Sequence, residues 1–172
     1  MKLFISVLLI SLSAHSQVSI SNTIYRFLDH QYGIRSASLS GANLAVDNSI
    51  SDVLVNPASL RVENESIGFS LASYLLDTKY GQISYNHPLE LGQSLALSVF
   101  ALVSNSFELR QEDGVLIGDY SVSDFAVSIS LIDQNLLDDF AFAITGKLVQ
   151  SRIESFNSSA ILFDFSTYIK AA

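Results

Sequence analysis

From Ser66 onward, large apolar residues recur at every second position, and short polar stretches interrupt the alternation. A period of two puts successive side chains on opposite faces of an extended strand, so the pattern predicts β-structure rather than amphipathic helix. About six strands are expected, at Ser66–Leu75, Lys79–His87, Gln93–Arg110, Val115–Ile132, Asp139–Arg152 and Ser158–Ile169. The punctuation between them is Asp77, Pro88 with Gly92, Glu112-Asp113-Gly114, and the stretch Asp133–Asp138. Asp-Gly is the strongest of these turn signals, because glycine enters the left-handed region at no steric cost.

The two faces differ in kind. Phe125, Val127, Ile129 and Leu131 share one side of the fourth strand; Asp124, Ala126, Ser128 and Ser130 share the other. In the fifth, Phe140, Phe142, Ile144 and Leu148 oppose Ala141, Ala143, Thr145 and Lys147. The sixth sets Ile161, Phe163 and Phe165 against Asp164 and Ser166. A soluble sandwich also alternates, but its polar face is usually rich in charged residues, which make up only 15% of this chain. A large apolar face against a small polar one therefore predicts an all-β fold: an antiparallel transmembrane β-barrel with a lipid-facing wall and a narrow lumen. On that reading Asp124, Lys147 and Asp164 face the lumen. Tyr74, Tyr80, Tyr85, Tyr120 and Tyr168, near strand ends, are placed to form interfacial girdles.

The chain before Ser66 lacks this regularity. Met1-Lys2 precedes a mainly apolar run from Leu3 to Leu12, and small residues stand before a cut between Ser16 and Gln17. That layout predicts a secretory signal peptide over residues 1–16, the run being too short to span a bilayer. Residues 17–65 are irregular, with a short helix around Ile50–Val55 that Pro57 is expected to stop, and Asn56 is expected to bond loop backbone through its amide.

Composition narrows the function. Acidic residues outnumber basic ones 17 to 9, without a basic stripe, which argues against nucleic acid. The chain has no cysteine, so disulfides and thiolate metal sites are excluded. His30 and His87 lack a second ligand at metal spacing, so no metal is expected. No Gly-x-Ser-x-Gly elbow is present, and the Asp133, Asp138 and Asp139 group reads as solvated turn charges. No enzyme and no cofactor are expected.

One dense motif remains. Gly33-Ile34-Arg35-Ser36-Ala37 leads through Gly41-Ala42 and Asp47 to Asn56-Pro57-Ala58. It resembles the N-terminal signature of the PorV/PorQ family, within the superfamily of long-chain fatty-acid-transporter-like (FadL-type) barrels. Tyr25–Leu28, Asp77–Gly81, Glu112–Ser121 and Ser151–Phe156 extend the resemblance and favour the PorQ-like branch. The resemblance implies that residues 17–65 form a plug carrying Gly33, Arg35, Gly41, Asp47, Asn56, Pro57 and Ala58. It further implies that residues 66–172 are the first half of a barrel ending early, since six strands fall below the roughly eight of the smallest closed bacterial barrels. The implied location is the cell outer membrane. The implied partners are outer-membrane lipid and other proteins of a type IX secretion machinery, which the barrel would dock or anchor. A FadL-type channel for hydrophobic solutes is the alternative.

Overall fold

Six strands follow one another in the computed structural model, which describes residues 25–29, 33–39, 48–60, 63–74, 77–137 and 139–169. They are β1 (Ser66–Ser73), β2 (Thr78–Pro88), β3 (Gln93–Arg110), β4 (Leu116–Leu137), β5 (Phe140–Ile153) and β6 (Phe156–Ile169). Each pairs antiparallel with the next in chain order, giving one up-and-down sheet. The connections are tight because a residue in or beside each one adopts a left-handed backbone: Asp77, Leu91 with Gly92, Gly114, Asp139 and Glu154. At the β3–β4 turn the Asp113 carboxylate also accepts the Val115 N–H at 3.1 Å.

The sheet is open. Among the described residues β1 pairs with β2, β6 pairs with β5, and β1 and β6 do not pair with each other, so the expected barrel is corrected to an open sheet. The physical reason is specific. Alternation determines which side chains share a face, whereas closure depends on strand number, tilt and stagger, which no residue periodicity encodes. Two further expectations shift with the structure. β4 runs to Leu137 rather than Ile132, through an irregular stretch after Asp133. The gap expected between Arg152 and Ser158 narrows to Glu154-Ser155, because Glu154 takes φ = 55° without a glycine or asparagine to announce it.

The described residues of the segment before β1 lie on one face of this open sheet, so the plug is corrected to a cover. Among the described residues, helix α1 (Ile34–Ser38) and the single-turn segments Arg26–Asp29, Ile50–Asp52 and Pro57–Ser59 are its regular parts. Val53, Ala58 and Leu60 pack on Ala96, Ile132, Ala141 and Ala143. Phe27 and Leu54 pack on Phe100, Ala126 and Val149, with the Phe27 and Phe100 rings stacked at 5.8 Å. Serine and alanine on the sheet let irregular backbone approach closely, which is why this face is small.

An irregular cover exposes carbonyls that no ladder satisfies, and the sheet answers with long donors. Gln82 Nε2 donates to Ser51 O at 3.0 Å, Asn86 Nδ2 to Asn64 O at 3.0 Å and Gln134 Nε2 to Leu60 O at 2.6 Å. Lys147 Nζ donates to Leu54 O at 2.9 Å while pairing with Asp164 at 2.5 Å. Between these posts the inner hydroxyls bond one another, as in Ser84–Ser98 and Ser130–Thr145, both at 2.8 Å.

Gly68 on β1 measures how closely the cover sits. A Cβ added there would lie 2.6 Å from Ile50 Cγ2, a methyl on a β-branched and therefore stiff side chain. Replacing a strand glycine would otherwise gain roughly 0.5–1 kcal/mol, but overpacking costs about 1–3 kcal/mol. Gly68→Ala should therefore lower the denaturation midpoint, and Ile50→Ala in the same chain should recover part of that loss. Strictly additive losses in the double variant would show that the cover does not touch β1 there.

Candidate functional site

The inner face is used up by the cover; the outer face is not. Ile67, Phe69 and Leu71 of β1, Ile83 of β2, Leu97 and Val99 of β3, Phe125, Ile129 and Leu131 of β4, Ile144 and Leu148 of β5, and Ile161, Phe163 and Phe165 of β6 are exposed. Phe163 is 81% accessible and Ile67 is 74% accessible. The register shows how these residues align. Phe69, Ile83, Val99, Val127, Leu148 and Ile161 form one row across all the strands. The next carries Ile67, Tyr85, Leu97, Ile129, Gly146 and Phe163. Neither row contains a charge, and contiguous apolar patches of this kind mark interaction surfaces.

Charge returns only at the ends of the strands. Lys79 and Arg152 lie in a single outer row, through Val103 and Ser123. At the opposite end stand Glu65, His87 and Asp133. Tyr85 Oη donates to Glu65 Oε1, His87 Nδ1 lies 3.9 Å from the same carboxylate, and Gln93 Nε2 donates to Asp133 at 2.7 Å. The hydrogen bond to Glu65 holds the Tyr85 hydroxyl above its ordinary pKa.

A second feature lies on the inner side, where β4, β5 and β6 meet the Arg26–Asp29 turn. A cleft of about 410 Å³ is lined by Tyr25, Arg26, Phe27, Asp124, Ile153 and Phe156, among others. Ser151 Oγ donates to Asp124 at 2.5 Å, yet burial outweighs that bond and raises the Asp124 carboxyl above its ordinary value. Tyr25 spans the cleft rim to Ser158 at 2.8 Å.

The residues singled out in the sequence scatter over this frame. Asp124, Lys147 and Asp164 do share a face, but it meets the cover, not a lumen; Lys147 and Asp164 form an ion pair and Asp124 sits apart in the cleft. Gly33 is buried against Ser51, and Arg35 belongs to α1. Pro57 opens a helical turn instead of only ending one, and Asn56 stands at its N-cap without a side-chain capping bond to the turn; its carbonyl accepts from Ser59 N–H and Oγ. Ala58 is fully buried. Ser16, Gln17, His30, Gly41, Asp47 and Asp138 fall outside the described residues. The tyrosine girdle is corrected as well: Tyr80 and Tyr168 turn inward and pack on the two core clusters. Asp52 was not singled out, although it is buried, accepts the Ser36 hydroxyl and caps the turn ending at Asn56 through its carbonyl. A serine and an aspartate sixteen positions apart carry no periodic signal. Among the described residues no three His, Cys, Asp or Glu side chains gather as a metal site would require.

Fold and face together define a class: an open antiparallel meander, covered by its own chain on one side and apolar on the other. Comparison with known proteins finds no matching family model, no matching curated protein and no matching solved structure. The PorV/PorQ and FadL-type resemblance is therefore corrected, since no family match supports it and the sheet is not a barrel. With it go the outer-membrane location, the lipid and secretion-machinery partners, and the docking-barrel and solute-channel roles.

The Asp124 carboxyl gives a pH prediction. A carboxyl whose folded pKa is raised binds its proton more tightly when folded, so its contribution is present at low pH and lost as pH rises through the raised value. Asp124→Asn should flatten that decline and leave the variant more stable at neutral pH than the parent. Parallel unfolding curves for the two chains across acidic to neutral pH would contradict the assignment.

Proposed function

We propose that this chain is a non-catalytic assembly protein that works by docking the outer face of its sheet on another protein surface. One observation carries the reading: apolar rows run across all six strands without a charge and remain exposed after the chain has folded. Each buried Å² of such surface contributes about 25 cal/mol, so a face of this kind left in water favours association strongly. The alternation also explains why the chain itself does not cover it. The irregular segment before β1 is, over its described residues, already held on the inner face by Gln82, Asn86, Gln134 and Lys147.

Catalysis finds no comparable support. Gln82, Asn86, Gln134 and Lys147 of the inner face are committed to the cover, and the cleft beside Asp124 offers a carboxyl tied to Ser151 with no histidine among its described lining. Specificity on this reading comes from the shape of the face and from the charged rows at its ends.

The test is a pair of substitutions on opposite faces. Ile129→Asp with Phe163→Asp should abolish protein–protein association in detergent-free buffer while retaining the strand circular-dichroism signal. Ser128→Asp, one position away but beneath the cover, should instead unfold the chain at lower denaturant. A parent chain that stays monomeric at every concentration and binds no protein would contradict the proposal.

A further inference from the structure

We infer that the surface docked on this face is a second copy of the same chain, packed face to face with its strands running the opposite way. The inference rests on the docking role proposed above and names its occupant. Two observations select it, one of area and one of charge.

Six strands about 4.8 Å apart, carrying a belt of roughly eight residues at about 3.4 Å each, present a face of about 800 Å². A stable interface buries about 800 Å² on each partner, so one copy of this sheet suffices to cover another. Sheets whose inner faces interdigitate pack about 10 Å apart, and large branched side chains such as Ile129, Leu148 and Phe163 suit that spacing.

The end rows then decide the arrangement. Lys79 and Arg152 occupy one end of the face, and Glu65 and Asp133 the other. A two-fold axis running across the strands, level with Ser128, keeps each strand over its own copy and inverts its direction. In β4 the Lys79–Arg152 row passes through Ser123 and the acidic end reaches Asp133, the same number of residues either side of Ser128. Arg152 on β5 then comes over the second copy's Asp133 on β4, and Lys79 on β2 comes over the acidic end of the second copy, about two residues beyond its Glu65 beside β1. In the plane of the sheets Arg152 and Asp133 are offset by one strand spacing, about 4.8 Å, and Lys79 and Glu65 by that and about two residues along the strand, within reach of long side chains. An isologous interface makes each contact twice. With the axis along the strands instead, like-charged rows would coincide, and like-charge juxtaposition is disfavoured. β3 and β4 continue past the basic row as a hairpin bearing Glu108 and Asp119, which projects beyond the second copy and takes no part.

Sedimentation equilibrium of the full chain, with and without phosphatidylcholine vesicles, tests the assignment. The parent should form dimers and nothing larger, and the vesicles should not dissociate them. K79E/R152E and E65K/D133K should each raise the dimer dissociation constant at least tenfold. Mixed one to one, the two variants should recover affinity as a heterodimer, a readout that misfolding of either would not produce. Dimers indifferent to both charge reversals would overturn the antiparallel arrangement. Association only with a different protein would overturn the second copy as occupant while leaving the docking role intact. Transfer of the chain from dimers to vesicles, or a monomer at all concentrations, would overturn both.

Discussion

Period-two alternation obliges a sheet to have two faces, and the described residues of this chain cover only one of them. The constraint comes from how an irregular cover must be held. Its backbone carbonyls have no ladder to join, and burial without partners would cost roughly 1–3 kcal/mol for each group. Gln82, Asn86, Gln134 and Lys147 reach up from four places on the sheet to meet them. Lys147 is itself held by Asp164, which keeps its charge from being buried alone. Serine and alanine between these donors keep the surface low enough for Val53, Ala58 and Leu60 to reach Ala96 and Ala143. The inner face is thus polar because it is covered, not because it meets water.

The outer face follows by exclusion. The four donors that hold the cover point inward, and the alternate positions across the middle of the sheet are large and apolar. Their rows are continuous because the register is uninterrupted across the middle of the sheet; irregularities occur only beyond Ser104 in β3 and Asp133 in β4. What results is a three-layer arrangement lacking its third layer. Domains are built from layers that bury each other's apolar faces, and association completes what folding leaves open.

Much of this was legible in the sequence, and the part that was not has a physical explanation. Phe125, Val127, Ile129 and Leu131 announce a shared face through spacing alone, and the structure places them on one. Asp113-Gly114 announces its turn through backbone chemistry. Closure, however, is a property of the whole sheet. A lipid-facing wall and a protein-facing wall need the same large apolar residues at the same period, and a small inner face suits a narrow lumen and a close cover equally. The Asn56-Pro57-Ala58 motif identified a turn correctly but not what the turn packs on. The Glu154 turn, the length of β4 and the Ser36–Asp52 contact depend on tertiary packing, which leaves no local mark.

The central claim is that the outer face is buried against protein once the chain has assembled. The native chain lacks cysteine, so single thiols report accessibility without background. The decisive measurement is the alkylation rate of Ile129→Cys against that of Glu112→Cys at the β3–β4 hairpin tip, followed from dilute to concentrated protein without detergent. The account predicts that the Ile129 thiol is progressively protected while the Glu112 thiol reacts at a constant rate. Equal and unchanging rates at both positions would contradict it.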